Sequence, residues 1–334
     1  MASTFKGTIF RLPLRSMVQS KKSQLSTKYY TDDDVQLMYR SLLNEGDNFL
    51  LFLKSIRSLE FYEWTEIAAK QPTLCYRVNI AERLNQQQLQ LRNYVASIQK
   101  PSPDLSWIAC HHFKFETTLF PKSGSKALKG SDTGSPSKYQ SEWIICNALG
   151  GGSKQASQIA ANPEHKHLKL LPYGGIAARI ATNVPWQLKN EEKLRQNAKK
   201  AKESGPKGKS PKRRALGQSA VVDEEKKSGS KEEEGVQPMI GRAYCFLSLP
   251  LKNGLPVHCN GYFELSSNRR DLWWGDGDDM TGSGSLRYFW NMTLLQDVVC
   301  RCYVEVLQYA KQLCVRKVID IKTFYGMWPY QVLY

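Results

Sequence analysis

No run of about 18 or more apolar residues occurs in this 334-residue chain, which excludes a membrane-spanning helix and leaves a soluble or peripheral protein. No Cys-Xaa-Xaa-Cys pair occurs among its eight cysteines, whereas a tetrahedral zinc site usually draws its ligands from two such close pairs. Cys300 and Cys302 would point to different faces of a helix, and Cys110, His111 and His112 alternate along a strand. With Cys75, Cys146, Cys245, Cys259 and Cys314 they read as buried, reduced thiols of a reducing compartment, so a cytoplasmic location is expected. Neither a Gly-Xaa-Ser-Xaa-Gly elbow nor a paired-carboxylate motif is present, so independent catalysis, a metal site and a bound cofactor are not expected of this chain.

Acidic residues are missing from residues 1–31, which hold six Lys and Arg. Aromatic residues are missing between Gln187 and Met239, a stretch with fourteen basic and nine acidic residues. These two segments account for +11 of the +16 formal charge. A nucleic-acid domain concentrates its basic surface among stacking aromatics, so nucleic-acid binding is the lesser reading, carried by residues 187–239 alone. That stretch cannot bury enough apolar surface to offset ordering entropy and is read as a disordered insertion. Its basic tract 207–215 resembles a nuclear-localisation signal, and Ser210-Pro211 would suit phosphorylation; a plain solvated linker is the competing reading.

Elsewhere the composition, 41% hydrophobic and 11% aromatic, suffices for real cores. Phe5–Arg15 reads as an extended strand rather than a targeting peptide. Thr31 followed by three aspartates starts a helix, because the hydroxyl caps free N–H groups and the acids face the positive dipole end. Val35, Met38, Tyr39, Leu42 and Leu43 form its apolar face until Gly46. Ser58–Trp64 and Leu74–Ile80 read as paired strands, and a helix over residues 82–99 ends at Pro101. The alternating strand LSWIACHHFKFETTLF, a polar loop at about 121–138 and the strand YQSEWIICNAL beyond it suggest a large hairpin. Gly150-Gly151-Gly152 precedes a short helix, but Ser153-Lys154 inverts the Walker order, so a turn is preferred to a phosphate loop. Gly174–Ala181 is a buried strand. IGRAYCFLSLPL and LPVHCNGYFELS read as two strands about an Asn253-Gly254 turn. Leu286, Phe289, Trp290, Leu294, Val298, Cys302, Val306 and Ala310 mark a long apolar helix. The fold class is α/β or α+β: mixed sheets with flanking helices, a closing segment 1–30, a first part 31–186, the linker 187–239 and a second part 240–334.

FELSSNRRDLWWGDGDDMTGSG, residues 263–284, places two arginines, two tryptophans and an acidic glycine-rich run directly after an alternating strand. No ordinary hairpin turn spends cationic, aromatic and anionic groups in this way. Two readings follow. In one, Arg270 pairs with Asp271 or Asp276 while Arg269 stacks on Trp273 or Trp274, locking the loop; in the other, the loop contacts a client or partner. His258 reads as a satisfied strand histidine, and Asp276, Asp278 and Asp279 as solvated turn acids whose spacing fails as a calcium loop.

The stretch from Gly241 to Val299, with its Gly-Leu-Pro-Val-His turn and Asn-Gly-Tyr-Phe-Glu-Leu-Ser-Ser-Asn-Arg-Arg run, closely resembles the repeating region of the sacsin family and its plant sacsin-like members. TIFRLPLR, LLFLKSI with FYEW, and LLPYGGIAARI are similar to earlier parts of the same unit. In that family the region follows an ATPase module of the Bergerat fold, shared with gyrase B, the 90-kDa heat-shock chaperones, histidine kinases and MutL. The module's motifs are absent here. The resemblance therefore implies a fragment that follows a missing module, ATP and Mg bound by that module alone, and a post-nucleotide, transducer-like region. It implies a chaperone and protein quality-control role with client proteins or the 70-kDa heat-shock machinery as partners. Asn268, Arg269 and Arg270 would then reach the γ-phosphate, with Asp271, Trp273, Trp274 and Asp276 supporting the loop.

Overall fold

The computed structural model describes residues 8, 10–53, 56–64, 71–80, 104, 106–120, 135–183, 239–275 and 282–329. The helix expected over 82–99, the linker up to residue 238, and Asp276, Asp278 and Asp279 lie outside them.

One eight-stranded sheet organises the described chain, in the order β1-β2-β3-β4-β5-β8-β6-β7. The strands are β1 (Ser58–Glu63), β2 (Thr73–Ile80), β3 (Trp107–Leu119), β4 (Ser137–Leu149), β5 (Tyr173–Thr182), β6 (Arg242–Cys245), β7 (Leu247–Lys252) and β8 (His258–Gly261). Neighbours run antiparallel except β6 and β8, which are parallel. The expected pairing of Ser58–Trp64 with Leu74–Ile80 is present as β1 and β2. The large hairpin is β3 with β4, paired from Trp107–Leu149 to Leu119–Ser137. The segments on either side of the linker share this sheet, because β5 pairs with β8 from Gly174–Gly261 to Ala177–His258.

Both faces of the sheet are covered, which explains why β4 and β5 read as nearly continuous apolar runs. Alternation divides their side chains: Ile144, Cys146, Ile176 and Ala178 join one cluster, and Trp143, Ile145 and Ala177 the other. The second cluster is sealed by Leu50, Leu51 and Phe52, at the end of the last of the N-terminal helices α1 (Met17–Lys21), α2 (Asp32–Asn44) and α3 (Gly46–Leu50). Thr31 caps α2 as expected, its Oγ1 accepting from the Asp34 N–H at 3.2 Å.

The first cluster is covered by α4 (Gln155–Ala161) and one continuous helix made of α5 (Ser283–Thr293), a π-helical stretch Leu294–Val299 and α6 (Cys300–Val315), followed by the short α7 (Ile321–Tyr325). Trp290, Leu294, Val298, Cys302, Val306 and Ala310 are all fully buried. A strict four-residue repeat runs ahead of the 3.6-residue turn by about 40° per step. The wider π turn slips the helix back, so one apolar face stays on the sheet throughout.

Several expectations are corrected. Phe289 is 46% exposed, because the i+4 row from Trp290 occupies the sheet and leaves its neighbour outside. IGRAYCFLSLPL is two strands, not one: Phe246 adopts φ 62° between β6 and β7, held by its N–H donating to Asn260 Oδ1 at 2.8 Å. LPVHCNGYFELS forms only the short β8, since its chain leaves the sheet after Gly261 to enter the arginine hairpin. Residues 10–16 join no strand; Phe10 and Leu12 are 84% exposed, and the bond from Tyr30 N–H to Arg15 O at 3.0 Å does not extend into a ladder. The apolar face of α2 is only partly buried, with Val35, Met38 and Leu42 among the exposed residues.

Candidate functional site

The arginine loop is a tight hairpin closed by an isolated antiparallel bridge between Leu265 and Leu272. Several of its backbone donors are satisfied internally. Arg269 N–H donates to Ser266 O at 2.8 Å, Arg270 N–H to Asn268 Oδ1 at 2.9 Å, and Asp271 N–H to Ser266 Oγ at 3.3 Å. Ser266 N–H donates in turn to Asp271 O at 2.9 Å. Arg269 takes φ 55°, the left-handed conformation that turns the chain between Asn268 and Arg270. These bonds spend several of the turn's own N–H groups and set its shape, from which the side chains project.

The hairpin is fastened to α5 by one fully buried side chain. Asn291 Oδ1 accepts from Glu264 N–H at 2.9 Å, while its Nδ2 donates to Glu264 O at 2.9 Å and to Trp273 O at 3.0 Å. Trp273 N–H also donates to Glu264 O, and Trp273 Nε1 donates to Gly284 O at 3.0 Å. Sequence reading missed Asn291 because an asparagine within an apolar helix row carries no local signal of a tertiary partner 27 residues away.

Asn268, Arg269, Arg270 and Asp271 are exposed. Asn268 Oδ1 accepts from the Arg270 N–H and the Ser266 hydroxyl and so shapes the turn, and the two guanidinium groups stand free of any salt bridge among the described residues. The stacking on Trp273 expected of Arg269 is made by another arginine, while the alternative pairing of Arg270 with Asp276 lies outside the described residues. Arg287 Cζ lies 5.4 Å from the centroid of the Trp273 ring, and its Nε lies 3.2 Å from Glu264 Oε2. Trp274 meets Tyr288 edge-on at 6.4 Å. Arg269 and Arg270 are thus not needed to hold Trp273 in place, because α5 brings Arg287 to the ring first.

The glycine-rich turn at 150–152 is filled by the protein's own carboxyl group. Asp297, in the π-helical stretch and 8% exposed, accepts from Ser153 N–H at 2.7 Å through Oδ1 and from Ala156 N–H at 3.1 Å through Oδ2. It occupies the N-terminus of α4, where a phosphate would otherwise bind. A Cβ on Gly151 would overlap that carboxyl group, which accounts for the glycine. The turn reading holds.

His258 is also as expected. It is 3% exposed, its Nδ1 accepts from Arg242 N–H at 3.1 Å, and it stacks on Trp143 at 5.6 Å. Burial, with the Arg242 and Arg179 charges adding to it, pushes its pKa down to about 3. Cys110 faces Cys146 across the β3–β4 ladder; the hydrogen bond to Cys146 and burial push its thiol far up. Burial raises Cys259 to about 12. Such thiols stay protonated and unreactive. No cluster of three or more potential metal ligands occurs among the described residues, and no described helix is long and apolar enough to cross a membrane.

Comparison with known proteins agrees with the resemblance in the motifs. The family model for the sacsin domain matches residues 1–76, a stretch that ends before the arginine hairpin. Human sacsin is 22% identical over 368 residues, covering 98% of this chain and 7% of that protein. The chain therefore spans a small fraction of the length of the curated relative it matches. No solved structure matches it. Across nearly its whole length, then, this chain shares distant homology with human sacsin.

Proposed function

We propose that the chain is a module of a sacsin-like chaperone and protein quality-control protein, acting downstream of a nucleotide-binding module supplied outside it. In this reading the chain has no catalytic activity of its own. It couples ATP turnover elsewhere to the binding of client proteins or of the 70-kDa heat-shock machinery, and Arg269 and Arg270 complete the phosphate pocket from outside. One observation carries the reading: two exposed guanidinium groups, free of salt bridges among the described residues, project from a hairpin whose own hydrogen bonds and Asn291 hold it in one shape. Rigid delivery of that kind suits a charge that must meet a developing negative charge, since reorganisation would cost much of the benefit.

The test joins this chain to the upstream nucleotide module of a longer sacsin-like protein and compares ATP hydrolysis for wild type, Arg269→Ala and Arg270→Ala. Lower turnover in at least one variant, with unchanged folding, supports phosphate sensing. Equal turnover in all three removes it. A basic scaffold that binds nucleic acid through residues 187–239 is the competing reading, distinguished by binding that falls steeply with salt and is lost when that stretch is deleted.

A further inference from the structure

The end of the long helix turns back on itself and leaves an apolar surface uncovered. After Val315 the chain reverses through Lys317, at φ 58°, into α7. The inner side of this turn is anchored: Met327 is buried and its carbonyl accepts from the Tyr303 hydroxyl, while Ile319 and Phe324 pack on the main core. With those residues held inward, Ile321, Tyr325 and Trp328 fall at i, i+4 and i+7 on the outer side. They are 56%, 62% and 44% exposed. Val315 and Val318, at the turn itself, are 75% and 55% exposed. A short segment apolar on both sides, with one side already spent on its own core, has an outer side for a partner.

The surrounding charge says which kind. Lys311, Arg316, Lys317 and Lys322 are all exposed, and none of them makes a salt bridge among the described residues. The one acid among residues 311–328, Asp320, is engaged as the cap of α7, accepting from Thr323 N–H at 2.6 Å. The patch is therefore apolar at its centre and cationic around it. The geometry points to a peripheral contact with an anionic lipid surface, made by the outer side of α7 and the turn before it. Tryptophan and tyrosine settle at the boundary between headgroups and acyl chains, isoleucine and valine enter just beneath, and lysine and arginine reach the lipid phosphates.

The test uses the full chain with phosphatidylcholine vesicles that contain or lack phosphatidylserine. Wild type is expected to co-sediment with the anionic vesicles and to retain part of that binding at high salt. Ile321→Ser/Tyr325→Ser keeps every cation and the Phe324–Trp328 ring contact, so it isolates the apolar contribution. It should bind about tenfold more weakly and lose the salt-resistant part. Brominated lipid should quench tryptophan emission in wild type, and less in Trp328→Phe. No binding by wild type, equal binding by the double variant, or quenching independent of Trp328 each overturns the proposal. So does concentration-dependent self-association by light scattering that the double variant abolishes, which would assign the surface to a second copy of the chain.

Discussion

Asn291 and Glu264 are joined through both backbone groups of Glu264, one accepted and one donated at 2.9 Å. The pair makes the arginine hairpin an extension of α5 rather than a free loop. Asn291→Ala leaves three main-chain hydrogen bonds unmade in a dry site, at a cost of about 2–4 kcal/mol. Urea unfolding should show a clearly lower midpoint. A change within error would mean that the hairpin is held some other way.

The two arginines should behave in the opposite manner. Arg269→Ala and Arg270→Ala remove exposed side chains that make no salt bridge among the described residues, so thermal unfolding should match wild type. A lower midpoint in either variant would restore the loop-locking role and weaken the case for phosphate sensing.

Asp297 and Gly151 form one unit. Asp297→Ala uncaps α4 and strips two N–H groups of their acceptor, costing about 1–3 kcal/mol. Gly151→Ala forces a methyl group into the same carboxyl group and should also destabilise. The combined variant should cost less than the two effects added, because removing the carboxyl group relieves the clash. Strict additivity in chemical denaturation would show the two residues to be independent.

His258 predicts a pH dependence of known sign. Its folded pKa is near 3, against about 6.5 in the unfolded chain. Below pH of about 6.5 the unfolded state takes up a proton that the folded state refuses, so this residue's stability contribution is complete above that pH and declines as the pH falls toward 3. The slope approaches about 1.4 kcal/mol per pH unit in that window. His258→Gln, followed by unfolding at several pH values, should remove that part of the slope.

Lys317 sits at the left-handed position closing α6, with Val318 N–H returning to Leu313 O at 2.9 Å. That is the place a glycine usually fills. Lys317→Gly should raise stability by roughly 0.5–1 kcal/mol, measured by thermal unfolding.

Patterns carried by neighbours along the chain were readable in advance. The β3–β4 hairpin and the apolar row from Trp290 to Ala310 follow from periods of two and near four residues, the Thr31 cap from a hydroxyl ahead of three aspartates and β5 from a nearly unbroken apolar run, and local stereochemistry translates each directly into structure. The exposed arginine pair was readable too, as an unusual concentration of charge beside tryptophan. Tertiary structure alone decided which partners those groups meet. It placed Arg287 rather than Arg269 on Trp273, set Asp297 into the glycine turn 144 residues upstream of it, split the strand at Phe246, and drew β5 and β8 together from opposite sides of the linker. Each of these joins residues far apart in the chain through hydrogen bonds or packing that no local period encodes, so only the folded arrangement determines them.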